Sequence, residues 1–385
     1  MKTTERQNNF DLLRLLAALQ VVYFHGITSL GLSFGAVMGR VNDLLTFFPG
    51  VPIFFAVSGF LITRSYERAS GIRSYARNRI LRVYPALWAS FAISIGLLAV
   101  FGAITRRFVS TASFWAWIAG QLTIVQFYNP DALRGFGVGV VNGSLWTIPV
   151  ELQFYAVVPV LYWLCIRNRT ERAASSFLAV LTLASFTLWF LTQSGPALRM
   201  WQKLLQVTLA PHLFMFLMGV MLQRHWKRLA SLLEGRGGMW LVVYLGIRLV
   251  QRAVLDVMPA GAFFTAVSWS ASLLSFAVLA LLTISLAFTR RRTSERLLFG
   301  QDLSYGIYIF HMLVLNTFVH LGLRGSAGFL ASAVGCTAVL AAASWVLVER
   351  PALAMKPAPE QRRTVRPIVM NSDATTTMGA LCNTR

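Results

Sequence analysis

Charge is scarce in this chain. Only 13% of its 385 residues are Asp, Glu, Lys or Arg, against roughly 25% in an ordinary soluble domain. Acid is scarcer than base: 14 Asp and Glu face 35 Lys and Arg, for a formal net charge of +21. Cysteine is nearly absent. Cys165, Cys336 and Cys382 form no CxxC pair and no zinc spacing, which argues against a disulfide framework and a metal centre alike. Two of them lie in apolar runs and read as buried or incidental thiols. No GxSxG elbow surrounds Ser58, so no serine nucleophile is expected. No internal repeat is visible. The N-terminal apolar stretch is interrupted by Asp11 and Arg14 and lacks a small-residue cleavage site, so it reads as a retained first helix, not a signal peptide.

What is abundant is hydrocarbon. Hydrophobic residues make up 56% of the chain and the mean hydropathy is +0.61. Apolar runs approach the ~20 residues that cross a bilayer. Ten spans are expected, over 10–30, 47–66, 83–104, 144–166, 174–193, 204–222, 239–257, 262–288, 303–322 and 326–348. The seventh is the weakest, because Arg248 and Arg252 interrupt it. The aromatic stretch 114–128 is short and reads as an interfacial or re-entrant piece on the outer face. The expected fold class is therefore all-α membrane, a polytopic bundle of about ten transmembrane helices. One membrane domain covers 1–350, and a polar, disordered tail follows over 351–385.

The basic residues are sorted. With the N-terminus inside, 25 of the 35 fall in inner segments and seven in outer ones. That bias puts both termini in the cytoplasm. It also accounts for the net charge without a nucleic-acid partner.

Ionisable residues inside spans cost about 2.5–3.5 kcal/mol each on insertion scales, so each asks for a reason. Arg14 and His25 are eleven residues apart in the first span. They lie about 20° apart around the helix and about 16 Å apart along it, on one inward-facing stripe. Asp11, one turn from Arg14, can hydrogen-bond it. Snorkelling remains an alternative for Arg14, and a satisfied packing histidine for His25. Glu151, seven residues into the fourth span, falls near the depth of His25 and is its expected partner. His311 lies about a third of the way into the ninth span. Glu349 and Arg350 close the tenth, as a functional pair or a simple ionic anchor. Arg79 and Arg82 share a helical face at the inner end of the third span. They can clamp an anion or merely anchor the helix. Around Ser58, Gly50 and Gly59 suggest close helix packing.

Six segments carry a family resemblance: FDLLRLLAALQVVYFH, GVPIFFAVSGFLI, RILR before VYP, SLWTIPVELQFY, LSYGIYIFH and WVLVERP. In this order on a ten-span frame they resemble the acyltransferase 3 family of bacterial membrane O-acyltransferases. The resemblance covers nearly the whole membrane domain. It implies an O-acetyltransferase-type enzyme of the bacterial cytoplasmic (inner) membrane that acylates surface glycans, lipid-linked sugars, Nod factors or antibiotics. Acyl-CoA would be the donor substrate, with no permanently bound cofactor. The implied partners are a carbohydrate or glycolipid acceptor and membrane lipids. Some members carry a fused extracytoplasmic domain, which is not expected after the short tail here.

The resemblance also implies that Arg14 and His25 are essential and that Arg79 and Arg82 handle the acyl-CoA. Glu151, His311, Trp146 and Tyr305 fall in family motifs. Arg248 and Arg252 match nothing in it; they either bind an acidic acceptor or pack. The expected mechanism has His25 as general base, oriented by Glu151, although an acyl-histidine relay fits the spacing equally. A flippase for lipid-linked sugars is the main alternative and predicts inverted repeats. A non-catalytic partner in polysaccharide assembly would not need His25 and Glu151 at one depth.

Overall fold

The computed structural model describes residues 8–33, 35–166, 170–193 and 200–356. Its regular elements among these residues are helical. In chain order they are α1 Phe10–Leu30, α2 Ala36–Leu45, α3 Gly50–Arg68, α4 Ile72–Val100, α5 Arg106–Val109, α6 Ala112–Leu122 and α7 Thr147–Leu161. These are followed by α8 Glu171–Gln193, α9 Met200–Gln206, α10 Leu213–Arg224, α11 Trp226–Leu233, α12 Gly237–Val257 and α13 Ala262–Ala287. The last are α14 Thr293–Leu298, α15 Ser304–His320, α16 Ala327–Ser344 and α17 Arg350–Ala354.

Eight segments are long and apolar enough to cross a bilayer. Two further expected spans correspond to shorter helices: α10, with 12 residues, and α15, with 17. Both can be short because protein surrounds them. Every α15 residue from Ser304 to Asn316 is buried, as befits a helix apolar on all sides. By contrast α12 buries only Gly237 and Tyr244 against protein. Its remaining apolar surface is suited to lipid.

The expected 114–128 piece is α6, eleven residues long and too short to span. It packs on α4 through Trp117 and Phe91, whose ring centroids are 5.0 Å apart. The expected tail begins later than residue 351, because α17 continues the chain to Ala354 and Arg77 Nη2 donates to the Met355 carbonyl at 3.1 Å. Residues 357–385 of that tail lie outside the described residues, as do Cys382 and the side chain of Cys165. Cys336 is free and exposed on α16, not buried as its apolar run suggested.

Two glycine contacts set the packing near the site. A Cβ on Gly59 would lie 1.9 Å from the Phe216 carbonyl oxygen, and one on Gly219 would lie 2.1 Å from that of Ala56. So α3 and α10 touch backbone to backbone, as small residues allow. The loop before α7 is tied to α15. Asn316 donates to the carbonyls of Val140 and Val141 at 2.9 and 3.1 Å and accepts from Val138 N at 2.9 Å. Asn142 donates to the Ile309 carbonyl at 2.8 Å. This tether fixes the tight turn Gly143–Trp146 and, through it, the start of α7.

Candidate active site

Arg14 and His25, eleven residues apart on α1, both turn toward α15. Arg14 Nη1 donates to Asp302 Oδ2 at 2.7 Å. His25 Nδ1 lies 2.8 Å from His311 Nε2, with the two rings stacked at 5.1 Å and 14° between planes. Asp302 stands two residues before α15 and His311 about two turns inside it. The two contacts therefore tie α1 to the start and the interior of the α15 segment, ionic at one end and imidazole at the other.

The hydrogen bonds assign the tautomers by elimination. His311 Nδ1 lies 2.6 Å from the Tyr308 carbonyl oxygen. A carbonyl only accepts, so Nδ1 carries the proton. In neutral His311, Nε2 is then a lone pair and accepts from His25 Nδ1–H. That leaves His25 Nε2 with its lone pair free. A proton arriving there produces an imidazolium whose Nδ1–H is already bonded. His25 is half-buried and His311 fully buried, so this arrangement is held away from bulk water.

Glu151 is not the partner of His25. Its carboxylate accepts a hydrogen bond from Tyr155, one turn along α7, and lines a narrow cavity with Arg14, Ser58, Thr147, Tyr305 and Tyr308. The hydrogen-bond partner of His25 is His311, and α7 is entered through a 3₁₀ turn over Gly143–Trp146. The Thr147 hydroxyl donates to that of Tyr308 at 2.9 Å, and the Tyr308 ring packs edge-on to His311 with centroids 5.7 Å apart. Ser58 faces the cavity, while its neighbour Gly59 takes the close helix contact expected of both.

The proposed arginine clamp divides. Arg82 is bonded to Asp302, lies 4.0 Å from Glu349 Oε2 and sits over the Tyr305 ring. It is thus saturated by buried carboxylates, and Tyr305 itself donates to the Val83 carbonyl at 3.0 Å. Arg79, on the same helical face, keeps capacity. Its Nη2 donates to Ser65 Oγ at 3.0 Å, its plane lies near the Tyr155 ring, and its Nε has no partner among the described residues. It lines an open, largely apolar groove of about 670 Å³ between α4 and α7. Nearby, burial and the Arg79 and Arg82 cations push the Lys356 ammonium down to about 8. Positive charge is therefore crowded at this end, and Arg79 forms no ion pair among the described residues.

Asp302 is the residue that the sequence reading missed. Burial disfavours its charge, but Arg14, Arg82 and Ser304 outweigh that and hold its carboxyl well below the usual carboxylate range. Asp11 lies within electrostatic reach of Arg14 but makes no hydrogen bond to it, because Arg14 is committed to Asp302. Glu349 is turned inward by a π-turn over Trp345–Glu349, and Ser344 donates to it at 3.2 Å. Arg350 stays exposed, so the two do not form a surface anchor. Arg252 pairs with Asp43 at 3.0 Å and Asp256 at 3.8 Å, while Arg248 bonds Gln251 and covers the Phe47 ring. Both are packed and paired, away from the histidines. Trp146 packs against His212, with ring centroids 5.2 Å apart and the planes tilted by 46°.

A polytopic helical membrane protein with two imidazoles paired inside the bundle and ion-paired arginines beside them is the class that fold and site define. The comparison with known families makes it specific. Residues 7–349 match the acyltransferase domain of the acyltransferase 3 family, and the chain belongs to that family. It is 37% identical over 366 residues to nodulation protein 10 of Rhizobium leguminosarum bv. viciae, covering 93% of this chain and 96% of that one. It is 31% identical over 168 residues to the O-acetyl transferase of Shigella phage Sf6, covering 40% of this chain and 46% of that one. The peptidoglycan O-acetyltransferase OatA of Listeria monocytogenes is 26% identical over 180 residues, 41% of this chain and 25% of its own. No solved structure matches. The chain is thus a membrane O-acyltransferase.

Proposed function

We propose that the enzyme moves an acyl group, most simply acetyl, from acyl-CoA to a hydroxyl of an exported glycan or glycolipid, with His25 as general base. The observation that carries this reading is the chain His25–His311–Tyr308 carbonyl, which leaves His25 Nε2 free to accept a proton. His311 takes the orienting role that Glu151 was expected to fill, by the logic of a base held by a third group. The acceptor hydroxyl oxygen attacks the thioester carbonyl carbon as Nε2 takes its proton. The C–S bond then breaks, the sulfur leaves as thiolate, and the proton on Nε2 passes to it, giving free CoA and the ester. The names of the phage and Listeria relatives support acetyl as the group moved.

The phosphates of the donor would meet Arg79 and Lys356, where positive charge is crowded and Arg79 Nε has no partner among the described residues. Arg82 and Arg14 act indirectly, as a neutralised platform shared with Asp302. Sorted basic loops favour this end as the cytoplasmic one, in a bacterial cytoplasmic membrane. The donor would then enter from inside and the acceptor from outside.

The test is CoA thiol release from acetyl-CoA by purified protein in lipid nanodiscs, with and without glycan acceptor. Release that His25→Ala abolishes supports the reading. Wild-type-level release in His25→Ala sinks it.

A further inference from the structure

A second concavity lies at the opposite end of the bundle from Arg79. It has a volume of about 390 Å³ and is bounded by the starts of α3 and α7, the end of α8, and α9. That is within the range of about 300–1,000 Å³ typical of small-molecule sites. Val51 and Phe55 line both this pocket and the narrow Glu151 cavity, so the two share a wall. Trp146, the residue before α7, is at its inner edge. Tyr155, against which Arg79 packs, lies nine residues further along, about 13 Å of helix. The pocket is therefore at the other end of α7 from Arg79.

Its lining is mixed: Pro52, Phe55, Val207, Phe214 and Met215 form an apolar floor, and indoles and polar side chains form the rest. The indoles of Trp146 and Trp189 are half-buried, each held from behind: Trp146 on His212, and Trp189 edge-on to Phe276 at 5.0 Å. Gln193 and Lys203 are exposed at the rim, with Gln206 between them and His212. His212 Nε2 donates to the Gln206 carbonyl at 2.8 Å, which leaves Nδ1 as an acceptor. Two rigid indoles, two side-chain amides, one ammonium and one imidazole acceptor thus surround that floor. They match a flat ring whose faces are C–H and whose edge is hydroxyl, donating and accepting at once. Aromatic side chains supply apolar area at low entropic cost, and the amides fix orientation.

We infer that this pocket binds a pyranose ring of the acceptor, stacked against Trp146 and Trp189 and hydrogen-bonded at its edge by Gln193, Lys203 and Gln206. The inference rests on the reading that the acceptor is a glycan. It locates the sugar beside the shared wall of Val51 and Phe55, from which a second residue of the same glycan extends toward the histidines.

The full chain in nanodiscs is passed over an array of defined neutral hexose, N-acetylhexosamine and uronic acid oligosaccharides. Wild type is expected to be retained on at least one class. Trp189→Leu and Lys203→Met should each lower that retention by about tenfold, the size of an interface anchor, and Trp189→Phe should recover most of it. Lys203 is exposed, so its variant does not threaten the fold; unchanged elution from size exclusion checks the others. Wild type retained on none of the classes, or retention indifferent to both Trp189→Leu and Lys203→Met, overturns the inference. Sugar retention without CoA release from acetyl-CoA would sink the transferase chemistry and leave this site standing. CoA release without retention does the reverse.

Discussion

His25 reaches across from α1 to place Nδ1 2.8 Å from His311 Nε2 on α15. In the proposed mechanism His25 carries the proton and His311 fixes which of its nitrogens is free. His25→Ala is expected to cut acyl transfer by on the order of 10²–10⁴, the usual worth of a positioned base. His311→Ala should cost nearly as much in turnover while leaving the donor KM close to wild type, because it frees the His25 ring without touching the basic end. Steady-state kinetics of CoA release separate the two. A His311→Ala enzyme with normal turnover would remove His311 from the mechanism.

Asp302 binds two guanidiniums, those of Arg14 and Arg82. Removing its charge takes from both guanidiniums the carboxylate to which they are bonded. Asp302→Asn is therefore expected to destabilise the protein by about 3–5 kcal/mol, the cost of breaking a buried pair. Adding Arg82→Met should return part of that loss, because one orphaned cation goes with it. Reversible unfolding in mixed detergent micelles measures both variants, and an additive double variant would show that Arg82 and Asp302 are not coupled.

The membrane fold was legible in hydropathy because each apolar run had to become a helix: a backbone in hydrocarbon must satisfy its own hydrogen bonds. Even the doubtful seventh span forms α12. Boundaries were less legible where a helix continues through charge. The third span was expected from residue 83, yet α4 begins at Ile72 and carries Arg77, Arg79 and Arg82 on helical turns. Sequence spacing put Arg14 and His25 on one stripe, since helix geometry alone decides that. It could not supply their partners, which depend on which helix lies beside α1. Asp302 was overlooked because it stands in a loop two residues before α15, where an acidic residue looks like an ordinary cap. The one available signal was arithmetic: two arginines inside a membrane domain with only 14 acidic residues in the chain must compete for very few carboxylates.

Gly59 and Gly219 give a stability prediction independent of the chemistry. A methyl at Gly59 would overlap the Phe216 carbonyl, which is backbone and cannot rotate away. Gly59→Ala should cost about 1–3 kcal/mol through overpacking, or force α10 outward and open the wall near Ser58. Gly96→Ala, where a Cβ meets nothing within 4 Å, is the control. Thermal unfolding midpoints should fall for the first and not for the second.

Lys356 yields the pH dependence. Its folded value is lowered to about 8 from 10.5 by burial, Arg79 and Arg82, with Asp302 opposing. The sign follows from proton counting. Below pH 8 the amine is charged in both folded and unfolded chains. Between about 8 and 10.5 the folded chain has released the proton and the unfolded chain has not, so this group makes stability rise with pH across that window. An anion seated beside Lys356 favours the charged form and raises its value, so anion binding takes up a proton above pH 8. Affinity for CoA should therefore be nearly flat from pH 6 to 7.5 and fall several-fold by pH 9.5, the sense expected when a charged partner is lost. Lys356→Met should bind CoA more weakly at pH 7 and lose the fall above pH 8. Isothermal titration with CoA across this range reads both. A pH profile in Lys356→Met that matches wild type would place the donor phosphates elsewhere.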